Sequence, residues 1–211
     1  MDFSQFRIGF DKRDQEKVQE YWNEIFLSQK WSEGKYIELF EDKWRQWNNL
    51  SSVATSSWAG AAMACMNYFD LTGKKVICPT NTFMATPLSI IKAGAEVVFA
   101  DCNKEDLCLS LDSVRHIIEN QDISAIWIVH IGGHISFDIE KIAQICTEKN
   151  IILIEDCAHA HGASWNNKKP GSWGDAGIYS FYATKTISTG EGGMLVSKHE
   201  ELIEYAKKYR N

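Results

Sequence analysis

The sequence predicts an α/β fold, with a mostly parallel central sheet covered by helices. Three observations carry this. Runs such as VVFA, IWIV and IILI are apolar at consecutive positions, as burial of a strand on both faces requires. These runs alternate with segments of helical length and spacing, and strand–helix–strand repetition implies right-handed crossovers between parallel strands. The 211 residues, 45% hydrophobic and 24% charged, are enough for one well-filled core.

The elements follow in order. Residues 12–28 place Val18, Tyr21, Trp22, Ile25 and Phe26 at helical spacing, and residues 35–48 do the same with Tyr36, Leu39, Phe40, Trp44 and Trp47. Gly34 marks the turn between these two helices. Strands are predicted at Val53–Ser56, Lys75–Pro79, Glu96–Asp101, Ala125–His130 and Ile151–Glu155, and helices at 59–70, 83–93, 111–119 and 138–148. After residue 162 the rhythm changes: Gly171, Gly174 and Gly177 punctuate short strands near 177–182 and 193–197, and a last helix covers 199–209. Residues 1–50 form an N-terminal helical segment in this reading, and 51–211 the α/β unit.

Bulk properties exclude several functions. A net charge of −6 gives no basic footprint for nucleic acid. No apolar run approaches the ~18 residues that suggest a membrane span. The start, MDFSQFRIGFDKRDQ, lacks the charged beginning and apolar middle of a signal peptide, so a cytoplasmic protein is expected. The six cysteines form no C-x-x-C pair and read as small, reduced, buried hydrophobes. Trp22, Trp44 and Trp47 read as core or interface anchors.

In an open α/β sheet, ligands bind beyond the carboxyl ends of the strands. That rule selects TSSWAG, PTNTF, HIGGH and EDCAHAHG, and brings them to the same edge as SFYATKTISTGEGGM. TSSWAG opens a helix with small residues, whose free N–H groups and the Ser56 and Ser57 hydroxyls suit a phosphate, although simple capping explains the serines equally. GEGG at 190–193 enters a strand and reads as a tight turn needing positive φ. Asp156 directly follows an apolar strand and requires a cationic or proton-donating partner, either a structural salt bridge or a protonated ring nitrogen. Lys185 has no charged neighbour in sequence until Glu191; it reads as a phosphate clamp, a surface residue or a nucleophile for a carbonyl. His130, His134, His159 and His161 raise a metal site, but their spacing matches no H-E-x-x-H pattern, and no metal is expected.

These segments, in this order, resemble the DegT/StrS-type sugar aminotransferases, pyridoxal-phosphate (PLP) enzymes of the aspartate-aminotransferase-like fold (fold type I). The motifs that carry the resemblance are WSEGKYIELFEDKW, PTNTFMATPLSIIKAGAEVVFAD, IILIEDCAHAHGA and GDAGIYSFYATKTISTGEGGML. It implies that residues 51–211 are a PLP-binding large domain. Lys185 would bind pyridoxal 5'-phosphate as a Schiff base, Asp156 would pair with the pyridinium nitrogen, and His159 would stand beside the ring hydroxyl. Phe83 would stack on the ring, with Ser57 and Ser180 on the phosphate side. The sequence departs from the family at Ser57-Trp58-Ala59-Gly60, where a Gly-Thr pair is usual; Trp58 is expected to crowd the site or line the substrate side.

The activity implied is amino transfer from glutamate or glutamine to a keto-sugar, nucleotide-linked, or to a cyclitol ketone. A homodimer is implied for the full-length protein. Family members are longer, so the large domain is expected to be incomplete at its C-terminal end and the small C-terminal domain missing, with little turnover by these 211 residues alone. Sugar dehydration is disfavoured, because those relatives replace the lysine with histidine. A non-catalytic or regulatory PLP-binding relative is the alternative, and a metal hydrolase built on the four histidines is a third reading.

Overall fold

The computed structural model describes residues 9–211, so the first eight residues of the N-terminal helical segment lie outside the described residues. The first two helices are α1, Lys12–Ser28, and α2, Lys35–Asn48. Asp11 caps α1 by accepting the Arg13 N–H at 2.8 Å, and Gln29 and Asn49 end the two helices in the left-handed conformation. α2 buries Trp44, whereas α1 buries nothing and leaves Val18, Trp22 and Phe26 exposed. Trp44 is therefore the core anchor expected, while Trp22 faces outward.

Seven strands form one sheet: β1 Ser51–Thr55, β2 Lys75–Pro79, β3 Glu96–Ala100, β4 Ala125–Val129, β5 Ile152–Asp156, β6 Ala176–Ser180 and β7 Gly193–Ser197. The remaining helices are α3 Trp58–Tyr68, α4 Ala85–Lys92, α5 Leu111–Asn120, α6 Ile139–Lys149 and α7 Glu200–Tyr209. The spatial order is β1-β7-β6-β5-β4-β2-β3. Only β7 runs against the rest, antiparallel to both β1 and β6. A loop rather than a crossover helix joins β6 to β7, and a strand without a crossover must return antiparallel. β1 begins at Ser51 rather than at Val53 because Ser51 and Ser52 pair with Ser197 and Val196 of β7. That partner lies far along the chain, beyond the reach of a local apolar pattern.

Side chains alternate between two covered faces. Val76, Trp127, Ile178 and Leu195 pack against α3, α4 and α7 through Ala61, Ala62, Cys65, Ile90, Leu202 and Ile203. Ile77, Ile126, Ile128 and Leu153 meet Val114 and Ile117 of α5 and Ile139 and Ile142 of α6 on the other face. At the far end of that second face, Tyr179, Met194 and Val196 take Trp44 of α2. Five of the six cysteines are buried, and all six are free thiols. Burial pushes the thiols of Cys78, Cys108 and Cys146 up to about 12, which keeps them unreactive hydrophobes, as the sequence suggests.

Glu155, at the centre of the sheet, is fully buried. One oxygen accepts the N–H groups of Trp173 at 2.8 Å and Gly174 at 2.7 Å; the other accepts Gly171 N–H at 2.7 Å and His130 Nε2–H at 3.0 Å. Ser136 N–H donates to His130 Nδ1 at 3.2 Å, which places the ring proton on Nε2. One carboxylate thus ties β4, β5 and the loop leading into β6. Glu155→Ala leaves these donors buried without an acceptor, and we expect a loss of about 3–5 kcal/mol, read as a lower midpoint in urea unfolding.

Candidate active site

The carboxyl ends of β1, β2, β4, β5 and β6 open onto one cavity of about 600 Å³. Because β7 runs the other way, the residues leading into it, Glu191 and Gly192, reach the same edge. Ser57, Phe83, Asp156, His159, Ser180 and Lys185 all line this cavity. Of HIGGH, only Ile131 does so.

Ser57, extended in backbone, is the N-cap of α3, and its hydroxyl accepts Gly60 N–H at 3.1 Å. The capping reading therefore holds, and the same residue faces the cavity beside a helix N-terminus whose first N–H groups have no partner within the helix. Phe83 precedes α4 rather than lying within it, and is 73% exposed on the cavity wall. Asp156 ends β5 and is 6% exposed. Its Oδ1 accepts Trp58 Nε1–H at 3.1 Å and Ala158 N–H at 3.0 Å, and its Oδ2 accepts the Thr86 hydroxyl at 3.0 Å. Burial pushes the Asp156 carboxyl above its ordinary pKa, while these hydrogen bonds and the nearby His159 pull it down.

Lys185 is half-buried in the β6–β7 loop, its N–H bonded to the Tyr182 carbonyl at 2.9 Å. Burial lowers its ammonium below the ordinary lysine pKa, and Asp156 opposes that shift. Ser180, buried at the end of β6, accepts Tyr182 N–H at 3.3 Å. The loop closes on itself through Phe181 N–H to the Gly192 carbonyl at 2.8 Å and Thr189 N–H to the Phe181 carbonyl at 3.0 Å. Gly190 has φ +83°, the turn expected of GEGG. At Gly193 the reason for glycine is space, since a Cβ would run into the Ser57 carbonyl. The loop carrying Lys185 is thereby pressed onto the start of α3.

One residue, Thr86, and the hydrogen-bond partner of another, Trp58, escape sequence reasoning. Trp58 lines the cavity, one of the two positions expected of it, but its indole is only 8% exposed and ends on Asp156. Thr86 carries no periodic signal, and its role appears only when α4 is laid beside β5. The two neighbouring histidines also separate. Residues 157–163 form successive turns, with Ala160 N–H to the Cys157 carbonyl at 3.0 Å and Ala163 N–H to the Ala160 carbonyl at 3.2 Å. His159 faces the cavity, with burial and the Lys185 charge lowering its pKa, whereas His161 packs among Trp44, Tyr179 and Phe181. His130 and His134 fall in different side-chain clusters, one with Glu155 and Cys157, the other with Asp106 and Cys108. In the second cluster both Asp106 oxygens accept backbone N–H groups, from Cys108 at 2.9 Å and Phe137 at 2.8 Å.

Comparison with known proteins places this arrangement in a class. PseC of Helicobacter pylori, an aminotransferase involved in the biosynthesis of pseudoaminic acid, superimposes with a TM-score of 0.88 at 27% identity, over 100% of this chain and 56% of that one. An aminotransferase from Psychrobacter cryohalolentis gives 0.86 at 26% identity, over 94% and 50%. The architecture is that of the fold type I aminotransferases. The sequence matches the DegT/DnrJ/EryC1/StrS aminotransferase family over residues 12–211, and the chain belongs to that family. GDP-perosamine synthase of Vibrio cholerae is 37% identical over 182 residues, 85% of this chain and 49% of that protein. L-glutamine:2-deoxy-scyllo-inosose aminotransferase of Streptomyces kanamyceticus is 34% identical over 146 residues, 69% of this chain and 34% of that protein. The chain spans about half the length, or less, of the curated relatives it matches.

His161 yields a pH prediction. Burial pushes its pKa down to about 4. The unfolded chain, with an ordinary histidine near 6.5, binds the proton more readily, so the contribution present above pH 6.5 is lost as pH falls toward 4. Between pH 7 and 4.5 we expect His161 to account for roughly 2 kcal/mol of lost stability, reduced from the full shift by its partial exposure. Urea unfolding of His161→Phe at the two pH values should show that share of the loss removed.

Proposed function

We propose that this chain binds PLP in the cavity at the carboxyl edge of the sheet, and that the whole protein transfers an amino group from glutamate or glutamine to a ketone on a nucleotide-linked sugar or a cyclitol. The observation that carries the reading is the meeting of Lys185 and Asp156 in one cavity within a family of aminotransferases. The donor set suits the cofactor. A carboxylate has about four acceptor positions; Asp156 uses three on protein donors and lines the cavity, which leaves one for a protonated ring nitrogen. Phe83 offers an aromatic face to the ring, and His159 a ring nitrogen near its hydroxyl. The Ser57 and Ser180 hydroxyls, with the N-terminus of α3, offer donors to a phosphate.

Bound there, PLP supplies an electron sink conjugated to the reacting carbon of the substrate. The residues of the chain do the rest. Lys185 Nζ, its ammonium destabilised by burial, would hold the cofactor through its amine and, when free, would accept a proton from the substrate carbon. Asp156 holds a proton on the ring nitrogen through its remaining acceptor position. The substrate classes are those of the relatives, GDP-perosamine synthase for the sugar and the inosose aminotransferase for the cyclitol. A cytoplasmic setting accords with six free thiols, and no helix among the described residues is long and apolar enough to cross a membrane. A homodimer accords with the exposed Phe83, Met84, Leu88 and Ile91 at and before α4 and Phe99 on the edge strand β3.

Added PLP is expected to give the purified chain a visible absorbance band, and borohydride to fix the cofactor on the peptide containing Lys185. Lys185→Ala should lose both signals. Cofactor fixed on a different lysine, or no band at saturating PLP, would overturn the reading.

A further inference from the structure

Trp58 is the first residue of α3, in the stretch where the sequence departs from its family. Its ring packs on Trp127 with centroids 5.5 Å apart, in the core between α3 and the sheet. Only the tip is polar, and it ends on a carboxylate, with Nε1–H 3.1 Å from Asp156 Oδ1. Small residues follow it in the helix, so a bulky ring here is placed by what it reaches. Of the donors to Asp156, Ala158 N–H lies on the same turn and moves with the aspartate. Thr86 shares its hydroxyl with Thr82 at 2.9 Å. Trp58 is the donor held by a rigid ring in a packed core. Its bond and that of Ala158 fill Oδ1, so the acceptor position left over belongs to Oδ2.

We propose that Trp58 is a positioning residue for Asp156: its indole N–H pins Oδ1 and leaves Oδ2 to face the cavity with one acceptor position for a protonated ring nitrogen. This rests on the PLP reading for the identity of that ring, while the brace itself belongs to the chain alone. The departure at Trp58 then exchanges a threonine hydroxyl at the helix start for a hydrogen bond to Asp156. The titratable groups around Asp156 are His159 on its own turn, Lys185 on the β6–β7 loop, and the thiols of Cys78 and Cys157.

The test begins without cofactor. In the ¹⁵N-labelled chain, the indole N–H resonance missing from Trp58→Phe should move with pH at the midpoint of the Asp156 ¹³Cγ signal, and should lose that titration in Asp156→Asn. In Trp58→Phe the Asp156 midpoint should rise by about one pH unit, the equivalent of one hydrogen bond to the charged form. PLP affinity, read from the visible band, should fall about tenfold. A packing role alone would leave the Asp156 midpoint unmoved. That result, or an indole resonance indifferent to pH, overturns the proposal. If Trp58→Phe does not fold, the Asp156→Asn comparison decides, with NOE contacts to Trp127 identifying the Trp58 indole. An indole that titrates in a chain that never takes up PLP upholds the brace and sinks the cofactor reading instead.

Discussion

The end of β5 carries two carboxylates in succession, and the sheet's alternation sends them to opposite faces. Everything at the site depends on how their burial is compensated. A carboxylate without donors in such a place would surrender its charge or unfold the strand. Glu155 is surrounded by backbone N–H groups of the 171–174 loop and by His130. The loop in turn delivers β6 alongside β5, with Asp156 opposite Ile178. Asp156, turned the other way, collects its donors from α3, α4 and its own turn. One residue builds the scaffold and its neighbour is presented by it.

The second constraint is the reversal of β7. Its two neighbours, β1 and β6, run the other way, and β1, β2, β4, β5 and β6 point their carboxyl ends at the cavity. β7 points its beginning there, so the loop from Ser180 to Gly193 must fold back over the edge, carrying Lys185 with it. Contact of Gly193 with the Ser57 carbonyl then fixes the height of that loop above α3. The amine and the carboxylate come into one cavity because β5 and β6 are adjacent and parallel, so the segments after both strands leave from the same edge. Burial acts on them in opposite directions, raising Asp156 and lowering Lys185, while Asp156 steadies the charge of Lys185. Proton transfer chemistry favours groups held near such a balance.

Much of this is legible in the residues. Buried parallel strands declare themselves because a strand covered on both faces has no polar side to show; β2 and the helices α1 and α2 fall at the bounds the sequence predicts. Lys185 stands out as a lone charge among apolar and small neighbours, Asp156 because it closes an apolar strand, and the family motifs around them are long. The edges of β1 and the orientation of β7 are less legible, since both depend on pairing between residues 51–55 and 193–197. His159 and His161 look equivalent as two histidines in three residues; a pair of turns sends one to the cavity and the other into an aromatic cluster.

The sequence alone determined the layered α/β class and the strands that sit deepest, and it singled out Lys185 and Asp156, whose roles are what the family resemblance implies. Local patterning suffices for the class and the strands, because apolar periodicity is a property of neighbours along the chain. Tertiary structure decided the antiparallel β7, the fourfold anchoring of Glu155, and the partners of Asp156. Thr86 and Trp58 are ordinary residues in their own segments, a threonine in a helix and a bulky ring after a cap. They acquire a role only where α3 and α4 meet the end of β5, since a hydrogen bond across 98 positions of chain, from Trp58 to Asp156, has no local signature.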